Sequence, residues 1–469
     1  MRRVAIAAFA SLSFADLGLA QGLDRAKRPV VDAPAAFAFP KMQTHRLSNG
    51  LLVVVIENHA LPLVAVRAVV GADSLDDPDG KEGLYTLTSN MLPEGTTTRS
   101  AEQIASEVAM LGSTVTPSRF TTIPQNLGKS LELMADMLMH PTFPDSALAR
   151  LKVSLTAAKQ RELQVPSTLP NRVFLSRLYG DDPQMARALR ASGASIGAIT
   201  RNDLVQFYSD HYRPNATTLV VVGDVRAADA IAVASNAFQL WRPAELPKMP
   251  IPKRSFAPTT IYLIDRPGVQ QSYVFVGTLG PGRNSKDFAA LEAMAPILGS
   301  SVSSRLLAEL RERHGFVYAG TPFTAVWRRD PFPSLIGGSA AVATAKIDSA
   351  LAGWLAELRG MARRAPTSDE MTLARAWLVE ALPAQIETDD LVANRVMSML
   401  QSGTPLDFYN SYGRRIQAVT SEEVRAAAEK YIDLSHLVIV VAGDRKVVEP
   451  LLRAANIAPI VIAGDAGKS

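Results

Sequence analysis

A pattern near residue 200 returns near residue 420, and it limits the possible folds more than any single motif. Residues 199–224 read ITRNDLVQFYSDHYRPNATTLVVVGD and residues 419–444 read VTSEEVRAAAEKYIDLSHLVIVVAGD; the two align without a gap. Thr200/Thr420, Val220/Val440, Val221/Val441, Gly223/Gly443 and Asp224/Asp444 are identical, while Asp203/Glu423, Leu204/Val424 and Leu219/Ile439 keep their character. Each copy predicts an N-cap threonine, an amphipathic helix, a turn and a buried strand that ends at Gly-Asp. Each half also opens on β-rich runs: Leu51–Glu57 and Leu63–Val70 in the first, Thr259–Asp265 and Ser272–Gly277 in the second. Between the halves, residues 241–258 (WRPAELPKMPIPKRSFAP) hold prolines at 243, 247, 250, 252 and 258. Proline deletes amide donors and fixes φ, so this stretch continues neither a helix nor a central strand and reads as a linker. The expectation is an α+β chain of two homologous lobes, residues 43–240 and 259–460. Each lobe is a mainly antiparallel sheet packed with helices.

What such a chain can do is narrowed first by what it lacks. It has no cysteine, which removes disulfides, thiolate metal sites and cysteine nucleophiles. With 49 basic against 45 acidic side chains, the net charge of +4 is too even for a dedicated nucleic-acid binder. The six histidines are His45, His59, His140, His211, His314 and His436. No two lie three to five residues apart, so a helical His–His chelate is impossible. His211 aligns with Tyr431 and reads as a helix-end packing residue; His140 precedes Pro141 at a helix exit. No G-x-S-x-G marks a nucleophilic serine. The acidic loop Gly71–Gly83 puts Leu75 and Thr86 at the end ligand positions of an EF-hand register, so it reads as a solvated turn. Gly277–Gly282 (GTLGPG) lacks the Lys-Ser/Thr of a phosphate cradle.

Arg2 and Arg3, the apolar run Val4–Phe14, and Gly18 and Ala20 before Gln21 read as a signal peptide over residues 1–20. Residues 21–42, rich in alanine and proline, read as a flexible tether. No later stretch reaches about 18 uninterrupted apolar residues. An exported protein without a membrane span is expected, periplasmic in a Gram-negative source.

A succession of landmarks runs through nearly the whole chain: LSNGLLVVVIEN, GADSLDDPDGKEGL, NMLPEGTTTRSAEQIASEVAMLGS, MLMHPTFPDSAL, YRPNATTLVVVGD, DRPGVQQSYVFVG, LGSSVSSRLLAELRERHGFVYAG and the closing VVAGD. In this order and spacing the chain resembles the pitrilysin/insulinase zinc peptidases, the inverzincins. It is most similar to their short bacterial members and to the mitochondrial processing peptidase subunits. In that family a helix after Gly-Leu carries H-x-x-E-H, two zinc ligands and a general base. Here Gly83-Leu84 is followed by Thr86 in place of the first histidine, Ser89 in place of the base and Asn90 in place of the second histidine. Hydroxyls and a carboxamide are poor zinc ligands, and serine cannot take a proton from water near neutral pH. The family's third ligand is a downstream glutamate. Glu162 is the one acid between Ser154 and Gln164, and a lone carboxylate cannot hold the metal.

A second family feature is present. Active members use an arginine and a tyrosine of the C-terminal half to bind the substrate backbone and the developing oxyanion, and the matching residues are Arg311 and Tyr318. Leu306, Leu307 and Leu310 face inward on the helix expected there, Gly315 ends it, and Tyr318 begins an extended segment. Read locally, Arg311, Arg313 and His314 equally suit a helix C-terminus, and Tyr318 a half-buried strand position. Arg305 reads as a structural residue packing between lobes. The resemblance implies half of a clamshell: the non-metal subunit of a heterodimeric peptidase of peptides, binding no cofactor itself and paired with a zinc-bearing homologous subunit. A purely structural family member and a stand-alone peptide-binding homodimer remain the alternatives.

Overall fold

The computed structural model describes residues 37–180, 189–247, 257–328 and 332–463. The signal peptide, most of the expected tether and residues 248–256 of the expected linker lie outside them. The first lobe is built on β1 (Gln43–Arg46), β2 (Leu52–Glu57), β3 (Val64–Val70), β4 (Arg119–Thr122) and β5 (Thr217–Gly223), in the sheet order β1-β2-β5-β3-β4. Its helices are α1 (Leu84–Met91), α2 (Ala101–Met110), α3 (Leu127–Met139), α4 (Asp145–Gln164), α5 (Thr168–Tyr179), α6 (Gly193–Ala198), α7 (Arg201–His211) and α8 (Ala227–Phe238). The second lobe has β6 (Thr260–Asp265), β7 (Gln271–Leu279), β8 (Val317–Val326), β9 (Leu335–Ala343), β10 (Val438–Gly443) and β11 (Ile460–Ile462), ordered β11-β6-β10-β7-β9-β8. Around it lie α9 (Phe288–Ala295), α10 (Ile347–Arg363), α11 (Ser368–Val379), α12 (Asp389–Gln401), α13 (Tyr409–Ala418), α14 (Ser421–Tyr431) and α15 (Arg445–Ala455). Both sheets are mixed: antiparallel pairs are in the majority, and β2–β5, β6–β10 and β6–β11 run parallel.

The sequence repeat is a structural repeat. Thr200 and Thr420 cap α7 and α14 in the same way, each hydroxyl accepting from the amide three residues on while Asp203 or Glu423 bonds back to the threonine amide. The strand that follows is central in both sheets, with a parallel neighbour on one side and an antiparallel one on the other. Leu219 lies opposite Val53 just as Ile439 lies opposite Ile261. The closing glycines are steric necessities. A Cβ on Gly223 would sit 2.1 Å from the Leu63 carbonyl oxygen, and one on Gly443 would sit 2.1 Å from Ser272 Oγ.

Successive strand residues face opposite sides of a sheet, and here both sides are buried, which accounts for unbroken runs such as Leu219–Val222. Val53, Val55, Val64, Val66, Leu219 and Val221 pack under the first lobe's own helices. The opposite face, with Val54, Ile56, Ala65, Val220 and Val222, is covered by Val392, Ala393 and Val396 of α12, a second-lobe helix. The exchange is reciprocal: α5, from the first lobe, lays Val173, Phe174 and Leu178 on Ile264, Phe275, Val440 and Ala442 of the second sheet. A polar lock accompanies it. Arg67 on β3, only 2% exposed, donates to Asp390 Oδ1 at 2.9 Å and to Asn394 Oδ1 at 2.9 Å, and Thr121 donates to the same Asp390 oxygen at 2.6 Å.

Two boundaries and one contact differ from the sequence expectation, in each case because an aromatic or charged side chain found a partner distant in sequence. The tether expected over residues 21–42 stops short of its end: Phe39 is buried against the first sheet and stacks on Tyr409 with ring centres 5.3 Å apart. The linker expected from residue 241 begins later, since Trp241 is buried and its carbonyl accepts from Asn49 at 3.2 Å. Arg305 does not bridge the lobes: it makes a two-point ion pair with Glu370 of α11, at 2.6 and 2.8 Å, inside the second lobe.

Candidate functional site

The helix that carries the altered motif, α1, is short and depends on what holds its ends. Gly83 precedes it at φ +103, and Asp77 in the preceding loop accepts from the amides of Gly83 at 2.8 Å and Tyr85 at 2.7 Å, satisfying donors the helix itself leaves open. The loop expected to be a solvated turn thus has a buried anchor. Asp77 is 1% exposed, and burial pushes its carboxyl up to about 6. Sequence reasoning missed this residue because one aspartate among four in an acidic loop carries no mark of burial.

Leu84, Leu87, Thr88 and Met91 turn inward, and α1 packs between α4 and α7. That leaves Thr86 and Asn90, four residues apart, on the outer side, with Thr86 half-buried and Asn90 exposed. Ser89 pairs with the buried Tyr212 hydroxyl at 2.8 Å, a phenol held well above its ordinary pKa by burial. Ser89 is therefore part of the packing between α1 and the segment after α7. Glu162 lies near the exposed end of α4, where its carboxylate pairs with Lys159 at 2.9 Å. Among the described residues, no group of three or more His, Cys, Asp or Glu side chains is placed to hold a metal ion. With a threonine, a tyrosine-bound serine and a carboxamide at the three motif positions, the donor set does not fit zinc.

The edge of the first lobe's sheet is capped by side chains. β4 is the edge strand, and its Arg119 carbonyl accepts from the Thr116 amide at 2.9 Å and hydroxyl at 2.8 Å, while the Thr121 carbonyl accepts from Ser113 Oγ at 2.6 Å. In the second lobe the arrangement is open. After Arg305 the helix widens into a π-type turn over Ala308–Arg313, with Leu306, Leu307 and Leu310 buried, and Gly315 ends it at φ +63. Arg311 is exposed, its Nε 3.5 Å from a Glu312 oxygen. Tyr318, 77% exposed, is the second residue of edge strand β8, whose pairing with β9 is interrupted by bulges on either side of Gly320–Thr321. Among the described residues, no hydrogen bond joins Arg311 to Tyr318, and no side chain bonds the carbonyls of residues 318–321. The histidines are held locally: His211 stacks on Phe207 at 4.5 Å, His314 on Phe316 at 4.9 Å, and His140 contacts Asp136 at 3.2 Å.

Comparison with known proteins decides the family. Residues 52–179 match the description of insulinase (peptidase family M16), and residues 198–378 match that of the peptidase M16 inactive domain. The chain is a member of peptidase family M16. Among M16 relatives, a protein of Helicobacter pylori described as a non-peptidase homolog is 23% identical over 86% of this chain and 94% of its own. An uncharacterized zinc protease of Mycobacterium tuberculosis is 26% identical, over 90% of this chain and 98% of its own. The crystal structure of a peptidase M16 inactive domain from Pseudomonas fluorescens superposes with a TM-score of 0.76 at 25% identity, covering 86% of this chain and 98% of that one. Within M16, then, this chain has two mixed sheets packed with helices, matching the family's two domains.

Proposed function

We propose that this chain is the non-metal subunit of a heterodimeric zinc metallopeptidase that degrades peptides in a closed chamber. A zinc-bearing M16 homologue supplies metal and general base. Arg311 and Tyr318 supply directed donors to the substrate backbone and to the oxyanion that develops on the scissile carbonyl, a role that needs no proton transfer. One contrast carries the reading: the motif positions on α1 are either chemically inert or tied into packing, whereas Arg311 and Tyr318 lie exposed beside an open sheet edge. The non-peptidase description of the Helicobacter pylori relative supports the same reading for an isolated chain. Export, to the periplasm in a Gram-negative source, completes the proposal.

The test is co-expression with an exported homologue that carries H-x-x-E-H, followed by peptide hydrolysis with and without chelator. Arg311→Ala or Tyr318→Phe is expected to lower turnover of the assembled complex by about 10²-fold, as loss of one oxyanion donor does. Thr86→Ala and Asn90→Ala are expected to leave it unchanged. Full turnover by the Arg311 and Tyr318 variants in an intact complex would leave a scaffold role instead. Stoichiometric zinc and unaided cleavage by the isolated chain would overturn the reading outright.

A further inference from the structure

The segment Gly277–Gly282, which is no phosphate cradle, leads directly into Arg283, and Arg283 has an unusual setting. Its guanidinium carbon lies 5.3 Å from the ring centre of Phe288 and 5.1 Å from that of Phe408, and those centres are 5.5 Å apart, so the side chain rests against a packed pair of aromatic rings. Its Nε is buried without a hydrogen-bond partner, and among the described residues no carboxylate or carbonyl pairs with the rest of the group. It lines a cavity of about 580 Å³ in the second lobe, bounded by the end of β8, by α11 and by the face of α12 that does not cover the first sheet.

The one carboxylate in that cavity acts on Arg283 through space but makes no hydrogen bond or ion pair with it among the described residues. Glu292 accepts from Trp327 Nε1 on one oxygen and from the Tyr412 hydroxyl on the other at 3.2 Å, both neutral donors, and burial pushes its carboxyl above the ordinary value. Arg395 adds a second cation over the Tyr409 ring, 5.7 Å from its centre. The cavity thus offers one guanidinium, that of Arg283, with a buried donor left unpartnered, and its walls include Trp327, Trp377 and Tyr409. A buried donor left unpaired is unfavourable, and a guanidinium fork matches the two oxygens of a carboxylate.

We infer that this cavity binds an apolar monocarboxylate, with its carboxylate on Arg283 and its hydrocarbon body against the tryptophans. Glu292 restricts the charge of the guest: it disfavours a dianion such as a phosphate monoester but tolerates a single negative charge between two arginines. The same chemistry is presented by a free small acid and by a peptide C-terminus that ends in an apolar residue. The inference does not rest on the heterodimer reading.

Trp327 and Trp377 line the cavity, so tryptophan fluorescence of the full chain reports occupancy, with calorimetry as a second measure. The probes are 3-phenylpropionate, its uncharged amide, and N-acetyl-Ala-Phe with a free or an amidated C-terminus. Each acid is expected to bind at least tenfold more tightly than its amide, the scale of a charge-assisted bond. If the acetylated dipeptide acid binds, a peptide end is accepted; if 3-phenylpropionate alone binds, the guest is a free acid. Arg283→Gln is expected to abolish the acid-over-amide preference while lowering the Tm of the folded chain only slightly, because the replaced group loses its contacts with the two rings but no hydrogen bond. Equal binding of acid and amide to the unmodified chain would overturn the inference and needs no variant. So would an Arg283→Gln protein that keeps the preference, which would make Arg283 only a support for its two rings.

Discussion

The two lobes share one pattern, and they differ most at the sheet edge that follows Gly112 in the first and Gly315 in the second. After Gly112 the first lobe passes through residues 113–118 and enters β4, four residues long. After Gly315 the second lobe runs through the ten-residue β8 before the nine-residue β9. Among the described residues the first lobe has no counterpart of β8, and Ser113 and Thr116 take up edge carbonyls that another strand would otherwise use. The first lobe's edge is thus capped by side chains, whereas the lobe that carries Arg311 and Tyr318 keeps a long edge strand with exposed residues.

The comparison can be broken most directly at the exchanged helices. Phe174→Ala on α5 should cost about 3–5 kcal/mol and Val396→Ala on α12 about 2–3 kcal/mol. Because each helix covers the other lobe's sheet, chemical denaturation of either variant should still show one transition; two separate transitions would mean that the lobes fold independently. The paired glycines sharpen the contrast. Gly223→Ala forces a Cβ onto backbone at φ +135 and should cost about 3 kcal/mol, whereas Gly443→Ala meets the side chain of Ser272, which can rotate, and should cost about 1–2 kcal/mol. Equal losses would show that the two strand ends are packed more alike than their geometry indicates.

A pH dependence is expected of Asp77 in the first lobe. Its folded value, raised to about 6 from 3.8, means that the folded state binds the proton more tightly than the unfolded state. Its contribution is therefore full below about pH 4 and is lost as pH rises through about 6, on the order of 2 kcal/mol in all. Asp77→Asn should narrow the stability gap to the unmodified chain as pH is raised from 4 to 7; a gap independent of pH would show that Asp77 titrates normally.

Much of this was legible in the chain itself. The repeat fixed two copies of a cap, a helix and a buried strand because capping residues and apolar spacing are local signals, readable within a few turns of backbone. The absence of any His–His pair at helical spacing was equally plain, since the spacing of residue types is read directly from the chain. Burial of Asp77, the tie between Ser89 and Tyr212, the inward packing of Phe39 and Trp241, and the crossing of α5 and α12 between lobes were decided by tertiary structure alone. Each joins residues separated by many positions along the chain. A buried face looks the same in sequence whether its own lobe or the other one covers it.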